Sequence, residues 1–115
     1  MASSFKNAGL TLSDIDDSSA NLYTSGGSAK SVIHALYISN KSSTNVLNVN
    51  VKVTTDGGST FKFVGKSLEV DVNNTLVLDK PINLEESDII RVYADSLIDS
   101  SAIQAEAFAS ILEIS

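Results

Sequence analysis

KSVIHALYISN, residues 30–40, is the most apolar segment of the chain and decides the fold class. A period of two divides it into two largely apolar faces: Val32, His34, Leu36 and Ile38 on one, and Ile33, Ala35 and Tyr37 on the other. A helix is the competing interpretation, but the β-branched residues and the flanking polar turns favour a strand. We therefore predict a central strand covered on both faces, by a second sheet and by a neighbouring subunit.

Downstream of this strand, short alternating segments are separated by turn signals roughly every ten residues. Asp56-Gly57-Gly58-Ser59 is the clearest turn, because Asp-Gly and Gly-Gly adopt positive φ readily. Gly65-Lys66 and Pro81 are expected to interrupt strands, and Glu85–Asp88 to form an acidic turn. The predicted strands are Val46–Thr55, Thr60–Val64, Leu68–Val72, Leu76–Leu78, Ile82–Leu84 and Ile89–Ala94. In the first of these, the valines Val49, Val51 and Val53 face one way, and Asn48, Asn50, Lys52 and Thr54 the other.

The two ends of the chain complete the pattern. Strands are predicted at Phe5–Leu12 and Asn21–Thr24, joined by a polar acidic connection, and Leu97–Ser101 is expected to be a loop or single turn. Residues 102–114 are ambiguous, since alanines favour a helix but no helical stripe is kept, and we interpret them as a closing strand. The chain is thus predicted to be one all-β domain over residues 1–115, an antiparallel sandwich or barrel of about eight strands, with residues 1–4 as a flexible arm.

Composition excludes several kinds of chemistry. The 115 residues are 43% apolar and 19% charged, which suits one folded domain. No cysteine is present, so disulfides, thiolate zinc sites and cysteine nucleophiles are excluded, and one histidine cannot form a multi-histidine metal site. The start MASSFKNAGL lacks the apolar centre of a signal peptide, and no apolar run is long enough to span a bilayer. A net charge of −6 repels phosphate backbones, so we expect neither a nucleic-acid nor a membrane partner.

Two carboxylate groups are the candidates for metal or acid–base chemistry. Asp14, Asp16 and Asp17 could ligate calcium but lack the glycine and the downstream glutamate of a calcium loop. They are a weak metal site, and a solvated loop with Asp16 or Asp17 capping a helical turn at Ser18 is favoured. Glu85, Glu86 and Asp88 have the composition of a glycosidase carboxylate pair, but a solubilising acidic turn is the favoured interpretation.

The remaining candidates are single residues or short patterns. His34 could activate one of the many serines, yet no G-x-S-x-G motif is present, so a structural histidine is favoured. Neither Gly26-Gly27 nor Gly57-Gly58 precedes a helix, as a phosphate-binding loop would. Four cations alternate with aromatics in the manner of a nucleic-acid face, which the net acidity disfavours: Lys52, Lys62, Lys66 and Arg91. We therefore expect no catalytic residue, no cofactor and no enzyme activity.

Several segments, in order along most of the chain, resemble a family of small virion structural proteins of tailed bacteriophages, mainly those of marine phages. They are FKNAGLTL (5–12), Tyr23-Thr24, KSVIHALYISN (30–40), VNVKVTTDGGST (49–60), LVLDKPINLEESDIIRVYA (76–94) and AFASILEIS (107–115). The resemblance implies a compact β-sandwich or jelly roll, present in several copies on the particle. The connection Asp14–Ser19 departs from the family in being more acidic.

The leading hypothesis is a non-enzymatic capsid decoration, or cement, subunit that binds the major capsid protein and reinforces the shell. We expect it to be made in the host cytoplasm, to form a homo-oligomer, with a trimer favoured, and to lie on the capsid exterior. A neck, tail or fibre-attachment component is the alternative, as is a carbohydrate- or receptor-binding module on the virion surface. Apolar residues that one small domain does not cover are the predicted interface candidates: Ile33, Tyr37, Phe61, Phe63 and Tyr93.

Overall fold

A computed structural model describes residues 3–95 and 104–114. Within this part of the chain, nine strands form two antiparallel sheets. The strands are β1 (Ser3–Thr11), β2 (Asn21–Thr24), β3 (Lys30–Asn40), β4 (Leu47–Thr54), β5 (Phe61–Val70), β6 (Thr75–Leu78), β7 (Ile82–Leu84), β8 (Ile89–Ala94) and β9 (Ala105–Ile114). A single 3₁₀ turn, Ser18–Ala20, precedes β2.

The strand order identifies the sandwich as a jelly roll. One sheet has the order β1-β9-β3-β6, with β7 also paired to β3, and the other has the order β2-β8-β4-β5. The first strand therefore pairs with the last, β2 with β8, β3 with β6 and β7, and β4 with β5. These four pairs are the arms of one long hairpin, and successive pairs along it lie in alternate sheets. When β6 and β7 are counted as one strand, the arrangement has the eight strands and two Greek keys of a jelly roll.

Apolar side chains that alternate along the strands fill the space between the sheets. Fully buried valines, leucines and isoleucines come from β3, β4, β8 and β9, and β9 adds the small residues Ala105, Ala107 and Ala109. Alanine at alternate positions lets the two sheets approach closely at β9, where larger side chains would collide. The alternation over 105–111 shows why the ambiguous last segment is a strand, as predicted.

Most predicted strands are confirmed, and the first one is longer than expected. β1 begins at Ser3, so Ser3 and Ser4 pair with β9 and are not part of a flexible arm. The predicted loop at Leu97–Ser101 lies outside the described residues. Gly57 and Gly58 form the expected turn with positive φ, and the turn at Asn73 likewise has positive φ.

The predicted faces of β3 are wrong for its first half, because His34 is an extra residue in the strand. Ile33 pairs with Ile111 and Ala35 with Ser110, so a β-bulge at His34 shifts the register. A bulge reverses the inward and outward sense of everything on one side of it. Ile33 consequently joins Leu36 and Ile38 in the core, and His34 is exposed to solvent.

A second correction concerns β5, which Gly65-Lys66 does not end. β5 runs on to Val70 with two register shifts against β4. One of these bulges carries Ser67, whose φ is 53°, over the outer surface of β4. It buries Asn50, which accepts hydrogen bonds from the Ser67 N–H (2.8 Å) and the Lys66 ammonium (3.4 Å). The bulge thus supplies hydrogen-bond donors to the Asn50 side chain, which the alternation in the sequence placed on the face opposite the valines.

The central position of β4 makes a direct stability prediction. Val51 is fully buried between β5 and β8. Val51→Asp places an unpaired carboxylate in the core and should lower the free energy of unfolding by more than about 3 kcal/mol, or abolish folding. Urea titration followed by circular dichroism measures this. Val46→Asp, in the exposed residue just before the same strand, is the control and should change stability little.

Candidate contact surfaces

The outer face of the five-stranded sheet carries an uncovered apolar row. Phe108 of β9 lies directly beside Tyr37 of β3, which lies directly beside Val77 of β6. The two rings are in tilted contact, with centroids 6.5 Å apart, and the three side chains are 46%, 38% and 46% exposed in that order. Because the two rings already pack against each other, they lose little side-chain conformational entropy when a partner covers the row.

A second row on the same face adds to the apolar surface. Phe5, Leu112 and Val32 occupy neighbouring positions across β1, β9 and β3, and Phe5 is 85% exposed. The positions between the two rows hold small or uncharged residues, Asn7, Ser110 and Ala35. The middle of this face therefore carries no charge, although the chain as a whole has a net charge of −6.

The negative charge lies elsewhere. In the described residues the strands hold only three carboxylates, Glu69, Glu106 and Glu113, and the others lie in the connections between strands. Two of these three are paired, Glu106 with Lys41 at 3.6 Å and Glu113 with Lys6 at 3.0 Å. Charge repulsion is accordingly concentrated at the loop-bearing ends of the sandwich and not on the sheet faces.

The outer face of the four-stranded sheet has a different character, because cations pack against aromatic rings there, with Phe63 left 49% exposed. Arg91 of β8, Lys52 of β4 and Phe63 of β5 are direct cross-strand neighbours. The Lys52 ammonium lies 5.0 Å from the Phe61 ring centroid and 5.6 Å from that of Tyr93, and the Arg91 guanidinium lies 4.5 Å from the Phe61 centroid. Cation–π contacts of this kind stabilise the face, and the side chains of Lys52 and Arg91 are only 12% and 15% exposed.

Asp16, from the connection before β2, forms ion pairs with both of these cations. Its carboxylate accepts hydrogen bonds from Lys52 (2.6 Å) and Arg91 (3.3 Å), and Arg91 also donates to Asn21 (2.8 Å). Partial burial opposes ionisation, but the hydrogen bonds and charges of Lys52 and Arg91 outweigh it and lower the pKa of Asp16. Partial burial, followed by the nearby charge of Asp16, raises the pKa of Tyr93. Of the four predicted cations, Lys52 and Arg91 are therefore held by Asp16 and by aromatic rings, Lys66 pairs with Asp95 (3.3 Å), and Lys62 is exposed.

The structure divides the predicted interface candidates among three places. Tyr37 lies on the outer face of the five-stranded sheet, whereas Phe61, Phe63 and Tyr93 belong to the cation–aromatic cluster on the opposite side. Ile33 is 1% exposed in the core, so it is not available to a second subunit. Sequence reasoning missed Phe5, Val77 and Phe108. The signal that could have found Phe108 is the period of two in β9, which places it on the face opposite the buried alanines.

Three of the six predicted metal and acid–base candidates form stabilising contacts in the structure, whereas Asp14, Glu85 and Glu86 are exposed. Asp16 binds the two cations, and Asp17 accepts a hydrogen bond from the Ser19 N–H (2.9 Å), capping the 3₁₀ turn as predicted. Asp88 is buried and accepts from the N–H groups of Gly57 (3.3 Å) and Glu85 (3.0 Å), which ties two turns together. In residues 3–95 and 104–114, no group of three or more His, Asp or Glu side chains is placed to hold a metal ion.

Two features are absent from the described residues: buried side-chain polar atoms without a partner, and membrane-spanning helices. Every buried side-chain nitrogen or oxygen there has a hydrogen-bond partner. None of these residues form a helix whose length and apolarity would let it cross a membrane.

Comparisons with known proteins give a similarity of structure but none of sequence. No protein-family profile matches the chain, and no curated protein matches it. A chain in the solved structure of the infectious bursal disease virus Gt strain superimposes with a TM-score of 0.45 and 11% sequence identity. The match covers 99% of this chain and 30% of that one, so this chain spans less than a third of its length.

The Asp16 cluster predicts a pH-dependent contribution to stability. A carboxyl whose pKa is lowered by folding contributes stability above its unfolded pKa, near 3.8, and loses it as the pH falls through the lower folded value. At pH 7, Asp16→Asn should reduce the free energy of unfolding by about 1 kcal/mol, a magnitude suited to a partly exposed pair. Urea titrations of wild type and variant should converge as the pH falls below about 4.

The matched control is Asp14→Asn, the same substitution at an exposed residue of the same connection. This variant should have the same free energy of unfolding as the wild type at pH 7 and at pH 3. A constant difference between wild type and Asp16→Asn from pH 7 to pH 3 would contradict the ion-pair account.

Proposed function

We propose that this protein is a non-enzymatic structural component of a tailed-bacteriophage virion, acting as a capsid decoration or cement subunit. It binds the major capsid protein on the outside of the shell and reinforces the contacts between neighbouring capsomers. The observation that carries the proposal is the uncharged apolar row Phe108–Tyr37–Val77 on an otherwise acidic molecule. The resemblance of most of the chain to small phage structural proteins supplies the virion context.

The jelly-roll architecture supports a building-block role. It leaves two broad sheet faces, and all but three of the described carboxylates lie in the connections between strands, so the middle of a face can meet a partner with little charge repulsion. The four-stranded sheet has its outer face occupied by its own cations and rings. The five-stranded sheet is therefore the docking side, and the acidic loops around it disfavour association with nucleic acid.

We infer no reaction for this protein, because the polar side chains that could carry one are engaged in the fold or isolated on the surface. Asp16, Asp17 and Asp88 each stabilise a turn or an ion pair, and His34 lies on the surface at a strand bulge. We expect no cofactor, no membrane partner and a homo-oligomer on the particle.

Cryo-microscopy of purified particles tests where the subunit lies. The expected result is density for a jelly roll of this size on the capsid exterior, at the junctions between capsomers. Density at the neck, tail or fibre attachment alone would replace the capsid role with the alternative one. Saccharide or host-cell binding by the isolated domain would favour a receptor-binding module, since jelly rolls also serve as lectin domains.

A binding experiment tests the contact face itself. Shells assembled without the subunit should bind the purified wild-type protein, and Phe108→Asp should weaken that binding at least tenfold, because it places a charge in the middle of the apolar row. Co-sedimentation of protein with shells over a concentration series gives the affinity.

The matched control is Val64→Asp, which introduces the same charge at a similarly exposed apolar residue of β5, in the opposite sheet. It should bind like the wild type, and circular dichroism should show both variants folded. Equal binding by Phe108→Asp and wild type would contradict the assignment of the five-stranded sheet as the docking side.

A further inference from the structure

The edges of the two sheets differ in how they are protected against further strand pairing. In the described residues, three of the four edges are interrupted. β2 is four residues long with a register shift, β5 contains two bulges, and the β6–β7 edge is divided by Asp79-Lys80-Pro81. Short strands, bulges and proline are the devices by which proteins block edge-to-edge association.

β1 is the exception. It pairs with β9 over nine consecutive residues without a register shift, it contains no proline, and Lys6 is its one charged residue. No strand in residues 3–95 or 104–114 pairs with its other side. A long, regular and nearly uncharged edge is a template for another strand.

The hydrogen bonds between β1 and β9 show which backbone groups of β1 are free to pair with another strand. The Leu12 N–H donates to the Ala105 carbonyl (3.0 Å), and Leu12 continues the register that pairs Leu10 with Ala107. Because alternate residues of a strand hydrogen-bond on opposite sides, even-numbered residues of β1 point their backbone groups to β9. The odd-numbered residues, among them Phe5, Asn7 and Gly9, point theirs to the free edge.

The side chains of these odd-numbered residues are self-complementary about Asn7. Phe5 is 85% exposed, and four residues further along the same face Gly9 has no side chain. Gly9 lies beside Phe108, in an open groove of about 300 Å³ lined by β1 and β9. In an antiparallel pair of β1 strands centred on Asn7, Phe5 of each copy lies directly opposite Gly9 of the other, and an aromatic ring packing over a cross-strand glycine is a recognised stabilising pair.

We propose that two copies of this protein pair antiparallel through β1, with Asn7 opposite Asn7 and Phe5 in the groove between Gly9 and Phe108 of the partner. The pairing joins the two five-stranded sheets into one continuous sheet with a two-fold axis at Asn7. It also extends the apolar row of each copy by one aromatic ring. Lys6 lies opposite Ala8, so the two lysines do not face each other. The assembly differs from the trimer predicted from the sequence.

Sedimentation velocity of the full-length protein tests the assembly. At micromolar concentration the wild type should sediment as a dimer, with twice the monomer mass of 12.1 kDa. Phe5→Ala should raise the dimer dissociation constant at least tenfold, whereas Ile15→Ala, which truncates an exposed apolar residue of a loop, should not. Asn7→Pro should also give a monomer while the chain stays folded, because it removes an N–H that points to the free edge.

Cross-linking tests the register. The chain has no cysteine, so Asn7→Cys introduces a single thiol that lies about 5.5 Å, between Cα atoms, from its copy across the two-fold axis. A short bifunctional thiol reagent should link it efficiently. Thr11→Cys, on the same face of the same strand, is the control and should not link, since its copy lies roughly 27 Å away along the strand.

Three outcomes would overturn the proposal: a monomeric wild type at 100 micromolar, a trimer, or a dimer that Phe5→Ala and Asn7→Pro leave intact. Equal cross-linking of Asn7→Cys and Thr11→Cys would contradict the register. None of these readouts depends on the virion role, so the edge pairing and the proposed function fail separately.

Discussion

The insertion of β9 between β1 and β3 is the interaction on which the rest of the structure depends. It pairs the end of the chain with its beginning, closes the five-stranded sheet and brings Ala105, Ala107 and Ala109 against the opposite sheet. Contacts between residues so distant in sequence carry a loop-closure cost that local pairing does not. The same insertion places Phe108 beside Tyr37 and leaves β1 as a regular edge, so both proposed contacts derive from it.

Much of this fold follows from the sequence, because strand periodicity and turn chemistry are local. The limits of β3, the turn at Gly57-Gly58 and the cap at Asp17 were all predictable from neighbouring residues. The bulge at His34 was not, since nothing within β3 distinguishes an extra residue from a paired one, yet it moved Ile33 from a predicted contact face into the core. The bulges of β5 and the burial of Asn50 likewise depend on the partner strand β4. Strand order, and with it the row Phe108–Tyr37–Val77, is a property of pairing that no single segment encodes.

The distribution of charge separates the two faces of the sandwich. On the four-stranded sheet, Lys52 and Arg91 are held by Asp16 and by aromatic rings, so their charges stabilise the fold and are not offered to a partner. On the five-stranded sheet the charged residues are absent from the middle of the outer face, and apolar side chains take their place. An acidic chain with one neutral apolar face can stay soluble and still dock in one orientation. That combination supports the proposed role of a subunit added to the outside of a preformed shell.

Amide hydrogen exchange across β1 tests the central claim, that β9 occupies one side of this strand and a second copy the other. The account predicts that the amides of Lys6, Ala8 and Leu10 are protected at every protein concentration, because β9 accepts their hydrogen bonds. The amides of Phe5, Asn7 and Gly9 should exchange rapidly in dilute solution and become protected as the concentration rises into the range where the dimer forms. Fast exchange of these three amides at all concentrations, or loss of the alternation along β1, would contradict it.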